Sequence, residues 1–121
     1  MTQQKHDRIV QNLEYIIHEH AHKTNTPLST CKEHNFRTKS GKYGEVDFAA
    51  FYDKYVDLYE VKTTNLPSAN SKARYQLHKA TEWANDNGYK VRHRFMVYNR
   101  ERGQALTDTY QIYDIDKKEY R

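Results

Sequence analysis

Phe48-Ala49-Ala50-Phe51-Tyr52 and Tyr55-Val56-Asp57-Leu58-Tyr59 are two strand-forming runs separated only by the polar pair Asp53-Lys54. That spacing leaves room for a tight turn and nothing else, so the chain doubles back as an antiparallel hairpin. Hairpin pairing sets Asp47, at the start of the first run, beside the Glu60 end of the second. Glu45-Val46-Asp47 and Glu60-Val61-Lys62 then bring carboxylates and an ammonium group together. Glu60 and Lys62 lie two apart and project to one strand face with Leu58, while Val61 takes the other. Polar groups among apolar neighbours are costly to bury unless they pair or hold a metal, which favours a functional reading over chance. The other acidic-x-Lys stretch, Asp116-Lys117-Lys118, has no predicted element after it to build a pocket.

Periodicity supplies the surroundings. Ile9, Leu13, Ile16, Ile17 and Ala21 recur at helical spacing and predict a first helix over 3–22, ended by Pro27. Residues 29–38 form a first strand, and Lys39-Ser40-Gly41-Lys42 turns it back into the Glu45 strand. Pro67-Ser68-Ala69-Asn70-Ser71 offers capping chemistry for a second helix, whose buried stripe is Ala73, Leu77, Ala80, Trp83 and Ala84 and whose stop is Asn87-Gly88. Val91, Phe95, Val97 and Tyr98 predict a fourth strand parallel to the third, and residues 109–115 a short final one. The expected fold class is α/β, an αβββαβ core with a mixed central sheet flanked by helices, in a single domain over 1–121.

Composition narrows the partners. A formal charge of +4 and a pI of about 9.1 permit attraction to a phosphate backbone. Charged residues reach 30% and apolar ones only 36%, so the core is small and leans on its 11 tyrosines. Those rings serve mainly as core and rim packing, with stacking on unpaired bases as the other use. Cys31 is alone, which excludes an internal disulfide and suits a half-buried strand position better than a nucleophile. No apolar run reaches membrane-spanning length and no signal-peptide core is visible, so the expected place is the cytoplasm, or a host's cytoplasm for a virus- or mobile-element-encoded chain.

Asp47, Glu60 and Lys62 on a hairpin, with Gly44-Glu45-Val46-Asp47-Phe48 leading in, resemble the PD-(D/E)XK nuclease superfamily, which includes small Holliday-junction resolvases and RecB-like nucleases. Asp47 corresponds to its first acidic residue, and Glu60 and Lys62 to its second acidic residue and lysine. Val46 stands where the pattern has proline. The resemblance implies a restriction-endonuclease-like fold, Mg²⁺ or Mn²⁺ as cofactor, and DNA as partner. It further implies the Val61 carbonyl and a first-helix glutamate, Glu14, as metal ligands beside Asp47 and Glu60. Gln76 would contact a metal-bound water or a phosphate, and a two-fold homodimer would cut two strands symmetrically.

The chemistry is consistent. Carboxylates and carbonyls are hard donors that favour Mg²⁺ or Mn²⁺, and a divalent ion so held both neutralises a phosphodiester and activates water. Lys62 would orient that water and offset developing charge. Glu45 shares a face with Asp47 but is equally explained as a rim carboxylate. Lys72, Arg74 and Lys79, the cluster Lys90, Arg92, His93 and Arg94, and Arg100 and Arg102 around Gly103 would track a backbone without reading sequence.

A rival motif is His18-Glu19-His20-Ala21-His22, which contains HExxH, a helical zinc signature with a glutamate base. It falls at a helix end before Pro27, lacks the extended third histidine, and leaves Asp47 and Glu60 unexplained. Histidines at a helix C-terminus are the duller account. Three functions therefore compete: an endonuclease through Asp47, Glu60, Lys62 and Gln76; a zinc metallopeptidase through His18, Glu19 and His22; and a non-catalytic nucleic-acid-binding module.

Overall fold

The computed structural model describes residues 2–62, 67–99 and 110–120. Arg100, Arg102 and Gly103, and the capping side chains at 67–69, lie outside the described residues. The element order is α1 (Thr2–Lys23), β1 (Ser29–Arg37), β2 (Tyr43–Tyr52), β3 (Tyr55–Lys62), α2 (Pro67–Asp86), β4 (Lys90–Asn99), β5 (Tyr110–Asp114) and β6 (Glu119–Tyr120). The strands form one mixed sheet in the order β1-β2-β3-β4-β5-β6. Only β3 and β4 run parallel, with α2 as the crossover between them. The fold is thus α/β, as the periodicity predicts, with β6 added beyond the predicted last strand. Among the described residues no helix is long and apolar enough to cross a membrane.

The turns are set by local chemistry. Tyr52 and Tyr55 close the β2–β3 hairpin around Asp53-Lys54, and Asp53 takes a left-handed φ of 44°, which a two-residue hairpin requires and Asp tolerates. Gly88, at φ 86°, ends α2, and the amide of Tyr89 donates back to the Ala84 carbonyl at 2.9 Å. The turn Asp116-Lys117-Lys118 is the β5–β6 connection, where Asp114 accepts the Asp116 and Lys117 amides at 3.0 and 3.1 Å.

Two cores sandwich the sheet. Ile9, Val10 and Leu13 of α1 pack on Phe48, Ala50, Tyr59, Val61, Phe95 and Val97. On the other face Ala73, Leu77, Ala80 and Ala84 of α2 pack on Val46, Ala49, Val56, Leu58 and Met96. The alanines let α2 lie close to the sheet. Strand β3 is buried from Val56 to Val61, because its alternate residues feed the two cores in turn. Emptying one such position, as in Leu58→Ala, removes about 2–5 kcal/mol.

Strand β2 breaks its own alternation at one place. Val46 belongs to the α2-side core and Phe48, two residues on, to the α1-side core. The partner strand does the same, since Glu33 has a left-handed φ of 49° and the β1–β2 pairing skips from Lys32↔Phe48 to His34↔Val46. The paired irregularity sits at Asp47.

Candidate active site

The β2–β3 ladder runs from Tyr52↔Tyr55 to Phe48↔Tyr59. Past that pair the two strands are joined by side chains. The Asp47 carboxylate accepts the Val61 amide at 2.8 Å, and the Glu60 carboxylate accepts the Asp47 amide at 3.1 Å. Each acidic residue thus occupies the hydrogen-bonding position the other strand's backbone vacates. The fork is possible because Glu33 and Asp47 leave the regular ladder together, while β3 stays anchored on its other side to β4 through Lys62↔Tyr98.

Both carboxylates are buried, at 7% exposure for Asp47 and 4% for Glu60. Burial first, and then the negative charge of Asp47, push the Glu60 carboxyl up to about 9, against smaller opposing effects from the Asp47 amide and the Lys62 charge. Two buried carboxyl groups this close cannot both ionise without a cation between them. Lys62 is half-buried and acts on Glu60 through space. Asp47, Glu60 and Lys62 are therefore brought together. The Val61 amide is already held by Asp47, which fixes the strand segment carrying its carbonyl.

His6 completes the group, and sequence reasoning missed it. Its Nε2 lies 3.2 Å from the Asp47 carboxylate. Hydrogen bonding to Asp47 raises the imidazole pKa, burial opposes that, and the charges of Asp47 and Asp7 add to the rise. Its Nδ1 is buried without a hydrogen-bond partner, 3.7 Å from an Asp7 oxygen. A legible signal existed: His6 lies three and four residues before Ile9 and Val10, so it extends the apolar stripe of α1 toward the sheet. Among the described residues the group of three whose ligand atoms lie within 4.8 Å of one another is His6, Asp7 and Glu33, which includes neither Asp47 nor Glu60. A cavity of about 220 Å³ lined by Asp7, Val10, Gln11, Lys32 and Glu33 opens beside them.

Glu14 is placed elsewhere. It pairs with Lys32 at 3.2 Å and accepts from Thr30 at 3.4 Å, eight residues and about 12 Å of helix beyond His6. The α1 side chain that meets the carboxylate pair is His6. Gln76 does approach the site, since its Oε1 meets the Glu45 amide at 3.5 Å, two residues before Asp47. Gly44 makes that approach possible, because a Cβ there would lie 2.6 Å from the Phe36 ring and 3.3 Å from Gln76 Oε1. Glu45 is exposed, and its pKa is raised by partial burial and then by Asp47 and Glu33. The fork is an acidic well in a basic protein.

The expected basic track on β4 is largely spent internally. Arg92 grips Asp57 with two bonds, at 3.1 and 2.6 Å. His93 meets Asp114 at 3.0 Å, and Arg94 pairs with Asp116. At the end of α1, His18 Nε2 lies 2.9 Å from the Thr30 hydroxyl and Glu19 pairs with Lys23 at 3.2 Å. His18 and His22 are exposed, and among the described residues they belong to no group of three close ligand atoms. Cys31 is half-buried on β1, and burial raises its thiol pKa, as suits an inert position.

Comparison with protein-family models, curated proteins and solved structures returns no significant match.

Proposed function

We propose that this chain is a metal-dependent endonuclease of PD-(D/E)XK type, built on a restriction-endonuclease-like core and hydrolysing DNA phosphodiester bonds. One observation carries the reading. Asp47 and Glu60 exchange bonds with each other's strand at the β2–β3 fork, and burial, then the negative charge of Asp47, drives Glu60 to about 9. A fold retains such a conflict at a cost unless a cation resolves it. The α-β-β-β-α-β order supports the same reading.

The donor set fits a hard divalent ion, since carboxylate oxygens dominate it. Mg²⁺ or Mn²⁺, when bound, supplies charge neutralisation at the phosphate and a more acidic water. Asp47 and Glu60 would hold the ion, with the Val61 carbonyl beside them. Lys62 orients the attacking water and stabilises negative charge on the scissile phosphate. Gln76 steadies the start of β2 and reaches toward the phosphate. His6 holds Asp47 in place from α1. The reading carries with it a two-fold homodimer and a cytoplasmic place of action, the cell's own or a host's.

Incubation of the purified protein with supercoiled plasmid, single strands and a four-way junction tests the proposal. Nicking that requires Mg²⁺ or Mn²⁺ and is abolished in Lys62→Ala supports it. Zinc-dependent casein cleavage with intact plasmid would replace it, and metal-independent DNA binding without cutting would reduce the chain to a binding module.

A further inference from the structure

The end of the β1–β2 ladder carries a patch that the proposed chemistry leaves unused. Arg37 and Tyr43 are its terminal cross-strand pair, and the Arg37 guanidinium lies 5.1 Å from the Tyr43 ring centroid. On α2, Lys72, Tyr75, Gln76 and Lys79 are spaced i, i+3, i+4 and i+7 and share one helix face. Lys79 donates to the Tyr43 carbonyl at 2.8 Å and lies 4.7 Å from the Tyr75 ring centroid. That lysine joins the strand end and the helix into one surface. Both rings face solvent, at 67% exposure for Tyr43 and 56% for Tyr75.

An exposed tyrosine alone means little, and Tyr15 and Tyr120 are exposed too. Two exposed rings with a cation against each are a different object, because they offer stacking faces and phosphate-binding charge together. Among the described residues neither Arg37 nor Lys79 pairs with a carboxylate, whereas Arg92 and Arg94 both do. The patch also leads to the fork. Gln76 follows Tyr75 and meets the Glu45 amide, and Tyr43 is four residues from Asp47, about 13 Å along β2.

We propose that Tyr43 and Tyr75, with Arg37 and Lys79, form a platform that grips an unpaired nucleic-acid strand and leads it to the fork. The inference rests on the nuclease reading for the fate of the strand, but the grip is measurable without cleavage. In a duplex the bases are stacked on one another and present only backbone and groove edges. Unpaired bases expose their faces, which the two rings can take while the cations meet phosphate.

Fluorescence anisotropy in EDTA, with a labelled oligothymidine and a duplex of the same length, reads the grip directly. The single strand is expected to bind at least about tenfold more tightly. Tyr43→Ala combined with Tyr75→Ala should lose that preference, by on the order of tenfold or more, with duplex binding little changed. The double Tyr→Phe variant keeps the stacking faces and should bind as the wild type does. Circular dichroism melting of each variant checks folding. Equal affinity for strand and duplex, or an Ala variant that binds strands normally, overturns the platform. Tyrosine-dependent strand binding without any cutting under Mg²⁺ or Mn²⁺ leaves the platform standing and removes the nuclease reading. Metal-dependent cutting by an Ala variant that binds and cuts strands like the wild type does the reverse.

Discussion

The β2–β3 fork and the β4–β5 edge both bury carboxylates, and they treat them oppositely. At the edge, Asp114 is fully buried, yet its pKa is lowered. Burial pushes it up, but the Lys117 and Asp116 amides and His93 together outweigh that. Asp57 is likewise buried and gripped twice by Arg92. At the fork, Glu60 is also buried and rises to about 9, because burial pushes it up first, the negative charge of Asp47 adds to that, and the Asp47 amide and Lys62 only partly oppose them. Burial alone therefore marks nothing. What surrounds the buried carboxyl decides the direction: amides, His93 and Arg92 at the edge, and a second carboxyl at the fork.

The largest expected effect lies at the fork. Lys62→Ala should lower cleavage by about 10²–10³-fold while leaving the melting temperature nearly unchanged, as single-turnover assays and calorimetry would read. At the edge the balance reverses. Asp114→Ala strips partners from two amides and His93 and should cost about 3 kcal/mol of stability, seen as a lower denaturant midpoint, with metal-dependent cutting retained wherever the fold persists.

Glu60→Gln sharpens the contrast through its sign. The folded Glu60 pKa lies above the ordinary 4.5, so its contribution to stability is complete below that pH and is lost as pH rises through about 9. The metal-free wild type should lose stability steadily between those limits, and Glu60→Gln should flatten the profile and melt higher at pH 8, by about 1–3 kcal/mol. His6→Asn is the smallest perturbation. The His6 pKa is raised above 6.5, so the stability it adds is present below that pH and lost as pH climbs through the raised value. The variant should be about 1 kcal/mol less stable at pH 5.5 and close to wild type at pH 9.

Much of the architecture was legible. The two-residue hairpin at Asp53-Lys54, the apolar stripes of α1 and α2, and the crossover to a parallel β4 all follow from spacing. The meeting of Asp47 with Glu60 followed from the hairpin. The kink that aims Asp47 did not, because it depends on Glu33 and Asp47 leaving the ladder together, a tertiary event with no mark in either strand. Arg92, His93 and Arg94 read as free charges, since their partners Asp57, Asp114 and Asp116 lie 35, 21 and 22 residues away. The resemblance implies a ligand role for Glu14, and in the fold its partners are Lys32 and Thr30. His6 carries no local mark of its role, because its partner Asp47 lies 41 residues away on β2.

Isothermal titration of Mn²⁺ at pH 7.5, repeated in buffers of different ionisation enthalpy, probes the fork most directly. With Glu60 held at about 9, a bound ion must displace its proton, so the wild type should release about one proton per ion more than Glu60→Gln does. Absence of binding, or binding in the wild type with no proton released, would contradict a cation site made by Asp47 and Glu60.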